Sequence, residues 1–147
     1  MPRAEAELIP ELIHATCVTI DEIGILLRGP SGAGKSDLAL RLIDRGASLV
    51  GDDYLHVTVE GGTLRAEVPA AIAGRIEVRG VGIVTMPYQS RAMIGLVIDL
   101  GEGEDRLPEP ESVVIAGVSL PRYRLNPLPA SAPIKVELMV SHHKERT

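Results

Sequence analysis

Residues Gly29-Pro30-Ser31-Gly32-Ala33-Gly34-Lys35-Ser36 hold each residue type that a phosphate-binding loop uses, at the spacing G-x-x-x-x-G-K-[ST]. The glycines let the backbone curl until successive N–H groups face inward onto phosphate oxygens. A helix that starts at the lysine adds the partial positive charge of its N-terminus. Lys35 is then placed to reach the terminal phosphates of a nucleotide, and the Ser36 hydroxyl to ligate Mg²⁺. A glycine-rich turn that merely caps a helix needs neither Lys nor Ser at those two places.

Two other groups of charged residues could act on a bound nucleotide. Asp52-Asp53 follows a short apolar run, Leu49-Val50, which, as a strand beside the one that feeds the loop, would end next to the nucleotide phosphates. In extended chain neighbouring side chains alternate, so only one of the two carboxylates can face a reaction site. That one could take a proton from an attacking hydroxyl, while the other supports Mg²⁺ or orients Lys35. An acidic turn before a strand is the plain alternative. In Arg75-Ile76-Glu77-Val78-Arg79-Gly80-Val81-Gly82, Glu77 and Arg79 share one face of a strand. They could serve Mg²⁺ and phosphate, or form an ordinary surface ion pair, and the spacing does not separate the two.

These groups need a scaffold. Residues 23–27 read as a buried strand feeding the loop, and residues 37–45 as a helix with Leu38, Ala39, Leu42 and Ile43 on one face. Gly46 is placed to stop that helix. Strands are expected over residues 14–20, 48–51, 54–59, 63–68, 75–79, 81–86, 93–100 and 118–125, with Gly61-Gly62 as a hairpin turn. Residues 113–115 form a short apolar segment, and residues 101–111, acidic with two prolines, a loop. A last strand is expected over residues 134–140, and residues 141–147 as a frayed tail or a helix stub. One helix among many strands makes this a β-rich α/β fold with a mixed sheet around a phosphate loop, unlike a doubly wound sheet.

Composition narrows the function classes. The 147 residues suit one domain with a real core, residues 1–10 and 141–147 being flexible ends. With no Phe or Trp, aliphatic side chains must fill that core. A net charge of −5 and scattered arginines give no nucleic-acid footprint. No apolar run is long enough to span a bilayer, and the N-terminus lacks the pattern of a signal peptide. A lone cysteine, Cys17, rules out an internal disulfide, fits the cytoplasm, and reads as a small buried hydrophobe. No Asn-Lys-x-Asp motif follows the loop, so a guanine-reading GTPase is disfavoured.

The chain resembles the catalytic domain of the bacterial HPr kinase/phosphorylase family, whose fold is related to that of phosphoenolpyruvate carboxykinase. Residues 25–46 with 49–53 match the family's loop, helix and double aspartate. Residues 74–84 are similar to its signature, with the core Glu77-x-Arg79-Gly80-x-Gly82, and Asp105-Arg106-Leu107 is a third block. With His14, the likeness runs over residues 12–140. The resemblance implies an ATP-dependent serine kinase acting on the phosphocarrier HPr or an HPr-like protein, with Mg²⁺. It implies that His14 lies near the substrate phosphate and that Lys35 holds the β- and γ-phosphates. It further implies that Ser36 and Glu77 hold the metal, that Asp53 accepts the serine proton, and that Arg106 stabilises the transferring group. It also implies a homo-oligomer.

Three departures shape the expectation. The family's N-terminal domain has no counterpart in the chain. Where the family has an Arg-Pro-Gly-Arg-Asn-type loop tied to phosphorolysis, residues 126–133 read Asn-Pro-Leu-Pro-Ala-Ser-Ala-Pro, without a cation for inorganic phosphate. The family's C-terminal helices look truncated. Kinase activity with weak or lost phosphorylase activity is therefore expected. A small-molecule hydroxyl kinase on the same scaffold and a non-enzymatic ATP sensor are the alternatives.

Overall fold

A computed structural model describes residues 10–102 and 110–146. Among them the strands are β1 (Glu11–His14), β2 (Thr16–Ile20), β3 (Ile23–Arg28), β4 (Ser48–Gly51), β5 (Tyr54–Glu60), β6 (Thr63–Glu67), β7 (Arg75–Val78), β8 (Gly82–Thr85), β9 (Arg91–Leu100), β10 (Glu111–Ile115) and β11 (Val118–Leu125). Two α-helices accompany them, α1 (Lys35–Asp44) and α2 (Ala132–Arg146). Nine strands make one mixed sheet, and β7 and β8 form a separate hairpin.

The long strand β9 is where the sheet branches. On one side it runs parallel to β3, with Leu27 opposite Ile98. On the other, its first half pairs antiparallel with β6 and its second half parallel with β11. Both edges of β9 are thus paired, and its two faces are covered as well, Leu96 and Ile98 on one and Ile94 and Val97 on the other, which is why its sequence is a near-continuous apolar run. Ile25, Leu27, Leu96 and Ile98 pack under α1 and α2 against Leu38, Leu42, Val136 and Met139. On the opposite face Cys17, Leu26, Val50 and Val97 pack with Leu55, Val57 and Leu64. Burial pushes the Cys17 thiol up to about 12, so it behaves as a small apolar group.

Local chemistry sets the ends of these elements. Gly61 and Gly62 both have positive φ, 57° and 82°, as a two-residue I′ hairpin requires. Helix α1 stops in a Schellman turn. The Ala47 N–H donates to the Leu42 carbonyl and the Gly46 N–H to that of Ile43, each at 3.0 Å, with Gly46 at φ 114°.

Three sequence expectations change. The single strand over residues 14–20 is two strands split at Ala15, because β1 pairs with β5 while β2 pairs with β3 and β4. Strand β4 does not adjoin β3: β2 intervenes, antiparallel to both, so β4 still points its end the way β3 does. The last strand, over residues 134–140, is the helix α2. Ile134, Val136, Leu138 and Val140 alternate as a strand would, yet the buried set is Ala132, Pro133, Val136, Met139 and Val140. That set follows a helical period, and Ile134 and Leu138 are left exposed. Ser131 accepts the Lys135 N–H at 2.9 Å and Pro133 sits in the first turn, where it is tolerated. The helix runs on to Arg146, so residues 141–146 are helical.

Candidate active site at the phosphate loop

The parallel strands β3 and β9 end side by side, and the loop departs from the end of β3, the usual place for a ligand crevice in such sheets. Ala33 N–H donates to the Pro30 carbonyl at 3.0 Å and closes a tight turn. Gly32 and Gly34 hold φ of 85° and 99°, in the left-handed region. A side chain at Gly34 would also meet Pro127, whose Cγ lies 3.4 Å from the Cβ position. Gly34 has no side chain to cap α1, which leaves the first-turn N–H groups to an anion. The Lys35 ammonium folds over the loop and donates to the carbonyls of Gly29 at 2.7 Å and Pro30 at 3.1 Å.

Asp52 is the hub beneath this loop. It is 8% exposed, and three donors converge on its carboxylate. The Ser36 hydroxyl lies 2.7 Å from Oδ1 and 2.9 Å from Oδ2. The Thr16 hydroxyl donates to Oδ1 at 2.8 Å, and the Glu77 backbone N–H to Oδ2 at 3.2 Å. A hydroxyl has one hydrogen and two lone pairs, so Ser36 can donate to Asp52 and still offer oxygen to a cation. Asp52 thus partners Ser36 rather than Lys35. It also ties the β7–β8 hairpin to the loop.

Asp53 is turned the other way. It is exposed and sits at φ 85°, a left-handed conformation that costs a non-glycine residue about 1–3 kcal/mol and persists only where surroundings impose it. Its carbonyl accepts the Ala15 N–H at 3.2 Å. His14, the residue before, is paired in register with Tyr54, their rings 6.4 Å apart. His14 and Asp53 therefore flank one junction where β1 passes into β2 and β4 into β5. Glu77 and Arg79 are both exposed and form no ion pair with each other. Arg106 lies outside the described residues.

Among the described residues, no three His, Cys, Asp or Glu side chains form a ready-made metal cage. Mg²⁺ does not require one: it is held by one or two carboxylates together with substrate phosphates. The hard oxygens of Ser36 and Asp52, side by side beneath the loop, fit that pattern, and the Glu77 backbone N–H meets Asp52 beside them.

Sequence reasoning missed several residues here. Thr16 is fully buried, yet it stands in line with Val18 on the face of β2 toward α1, where an apolar residue is the rule. Arg28 and Asp99 close two apolar strands and form a bidentate pair, at 2.8 and 3.0 Å, just before the loop. Arg122 donates to the same carboxylate at 2.8 Å and also pairs with Glu111. Burial pushes the Asp99 carboxyl up, but bonds and charge from Arg28 and Arg122 outweigh it and hold the group below its ordinary range. Arg41 of α1 donates to the carbonyls of Pro127 at 2.6 Å and Pro129 at 3.3 Å. A guanidinium does reach the proline-rich loop, with two of its nitrogens directed at backbone oxygens and Nε at the Asp37 carboxylate.

Comparison with known proteins bears on the same residues. A family profile described as HPr Serine kinase C-terminal domain matches residues 7–126, which take in the loop, Asp52-Asp53 and the β7–β8 hairpin. The chain belongs to this family. An HPr kinase/phosphorylase of Caldanaerobacter subterraneus is 33% identical over 158 aligned positions, covering 97% of this chain and 52% of the relative. One from Clostridium novyi is 44% identical over 84 residues, covering 56% of this chain and 27% of the relative. The chain thus spans between about a quarter and a half of these relatives' lengths. The structure of the Hpr(Ser) kinase/phosphatase from Coxiella burnetii superposes with a TM-score of 0.83 at 28% identity, covering 92% of this chain and 97% of that one. The β-rich mixed-sheet fold with few helices is the fold of that family. Among the described residues no helix is long and apolar enough to cross a membrane.

Proposed function

We propose that this chain is an ATP-dependent protein serine kinase acting on HPr or an HPr-like phosphocarrier in the cytoplasm, with phosphorylase activity weak or absent. The observation that carries the reading is the convergence of Ser36, Thr16 and the Glu77 N–H on buried Asp52, with exposed Asp53 next in the chain. A nucleotide-binding loop alone needs no carboxylate held beside it and another turned out to meet a substrate.

The loop N–H groups and the start of α1 hold the β- and γ-phosphates, and Lys35 exchanges the carbonyls of Gly29 and Pro30 for phosphate oxygens. Ser36, Asp52 and Glu77 would hold Mg²⁺, which when bound offsets charge on the phosphates. Asp53 takes the proton of the substrate serine as its oxygen bonds to the γ-phosphorus and the bond to ADP breaks. His14 stands beside the same junction, and Arg106 stabilises charge on the group in transfer. The two prolines held by Arg41 take the place of a phosphate-binding loop, which is why reversal by inorganic phosphate is expected to be weak.

Label from γ-labelled ATP should pass to HPr in the presence of Mg²⁺, and not to HPr lacking its acceptor serine or to free serine. Label on a small hydroxyl metabolite instead would favour a small-molecule kinase, and nucleotide binding with no transfer an ATP sensor. Rapid release of pyrophosphate from phosphoserine-HPr and phosphate would overturn the statement about phosphorylase activity.

A further inference from the structure

Among the described residues, Thr16 is the one hydrogen-bond partner of the Asp52 carboxylate that the proposed chemistry leaves without a task. It is fully buried, on β2, opposite Leu27 of the strand that feeds the loop. Its neighbours on that face of the sheet are apolar, so a hydroxyl there is costly unless it is bonded. The bond it makes, 2.8 Å to Asp52 Oδ1, joins residues 36 positions apart. The same oxygen accepts Ser36 at 2.7 Å. Oδ2 is engaged by the Glu77 N–H at 3.2 Å.

We propose that Thr16 is a positioning residue for the cation subsite, setting the plane of the Asp52 carboxylate so that it keeps the Ser36 hydroxyl turned toward the phosphate loop. The geometry favours this over simple packing. Ser36 alone cannot define that plane, because its single hydrogen is shared between both carboxylate oxygens. Two further contacts, one per oxygen, are needed to stop rotation about the Cβ–Cγ bond, and Thr16 and the Glu77 N–H are those two. The Glu77 contact comes from a hairpin outside the main sheet, whereas Thr16 comes from a buried strand within it. Thr16 is thus the fixed reference and Glu77 the adjustable one.

The inference rests on the cation reading of Ser36 and Asp52 given above. Its test compares the full chain with T16V, which keeps the shape of the side chain, and T16S, which keeps the hydroxyl. Mn²⁺ binding to the ATP-loaded protein, followed by electron paramagnetic resonance, is the readout, with ATP affinity in chelator measured alongside. Loss of a group that orients a metal ligand weakens metal binding by about 10- to 100-fold, so T16V should fall in that range with ATP affinity in chelator unchanged. T16S should recover to within about threefold of wild type, because the hydroxyl and not the methyl group is the working part. Mn²⁺ affinity in T16V equal to wild type overturns the inference. So does equal weakening in T16V and T16S, which would mark Thr16 as a packing residue. A wild-type chain that binds ATP but takes up no Mn²⁺ with it overturns the cation reading, and this inference with it.

Discussion

Replacing Asp52 by Asn should destabilise the fold as well as the site, and the size of the effect can be worked from the contacts. Asp52 accepts from Thr16 and Ser36 on one side and from the Glu77 N–H on the other. An asparagine can turn its carbonyl oxygen to only one side, and its amide nitrogen then faces a donor. If the oxygen keeps the Thr16 and Ser36 side, the Glu77 N–H loses its acceptor. If it turns the other way, the amide can donate to the hydroxyl oxygens, but the hydrogen of the fully buried Thr16 hydroxyl loses its acceptor. Hydrogen bonds to a charged group are worth about 1.5–3 kcal/mol, and a buried unsatisfied group costs about 1–3 kcal/mol. Downgrading one and losing another gives a destabilisation of roughly 2–4 kcal/mol. At about 2–4 °C per kcal/mol for a chain near this size, the melting temperature should fall by roughly 4–16 °C. Thermal unfolding followed by circular dichroism measures this directly, free of nucleotide. A melting temperature within about 2 °C of wild type would refute the picture of Asp52 as the buried hub.

Other expectations follow from the same geometry. Asp53→Asn should lower turnover on the protein acceptor by about 10²- to 10⁴-fold while leaving ATP affinity and melting temperature near wild type, since Asp53 is exposed and asparagine tolerates its left-handed backbone; loss of ATP binding together with turnover would assign it a structural role. Asp99 has a folded pKa below its ordinary value of 3.8, so its contribution to stability is fully present above that pH and drains away as pH falls through the depressed value. Acid titration of Asp99→Asn against wild type should show a smaller loss of stability below pH 4 in the variant, and parallel curves would contradict the ion cluster. Gly46→Ala should cost about 1–3 kcal/mol from backbone strain alone, because φ is 114° while the Cβ would meet nothing within 4 Å; chemical denaturation gives the value, and an unchanged midpoint would mean that the α1 terminus relaxes freely.

What was legible in the sequence was what is local. The phosphate loop, the α1 face of Leu38, Ala39 and Leu42, the Gly46 stop and the Gly61-Gly62 hairpin each depend on a few consecutive residues. Strand β9 was readable because burial on both faces leaves a continuous apolar stretch. Helix α2 was misread because Ile134, Val136, Leu138 and Val140 present a period of two, while the true core set follows the helical repeat. The Ser131-x-Pro133 start was the signal that could have corrected it. Within the site, the hydroxyl and carboxylates were nameable one by one, but not who meets whom. Thr16 reaches Asp52 across 36 positions, and Arg28 reaches Asp99 across 71. Such pairings come from sheet order, and sheet order is a property of the whole chain. Alternation in extended chain was the reason to expect the carboxylates of Asp52 and Asp53 to point apart, but the structure separates them by a bend with Asp53 in the left-handed region, which no residue pattern signalled.

The central claim is transfer of a phosphoryl group to a serine of a phosphocarrier. The most direct measurement is the intact mass of HPr after incubation with this chain and Mg-ATP, beside HPr lacking its acceptor serine. A gain of one phosphate on the wild-type carrier alone is the predicted result. No gain, from a chain shown separately to bind ATP, would contradict the claim and leave a nucleotide-binding domain whose acceptor is something else.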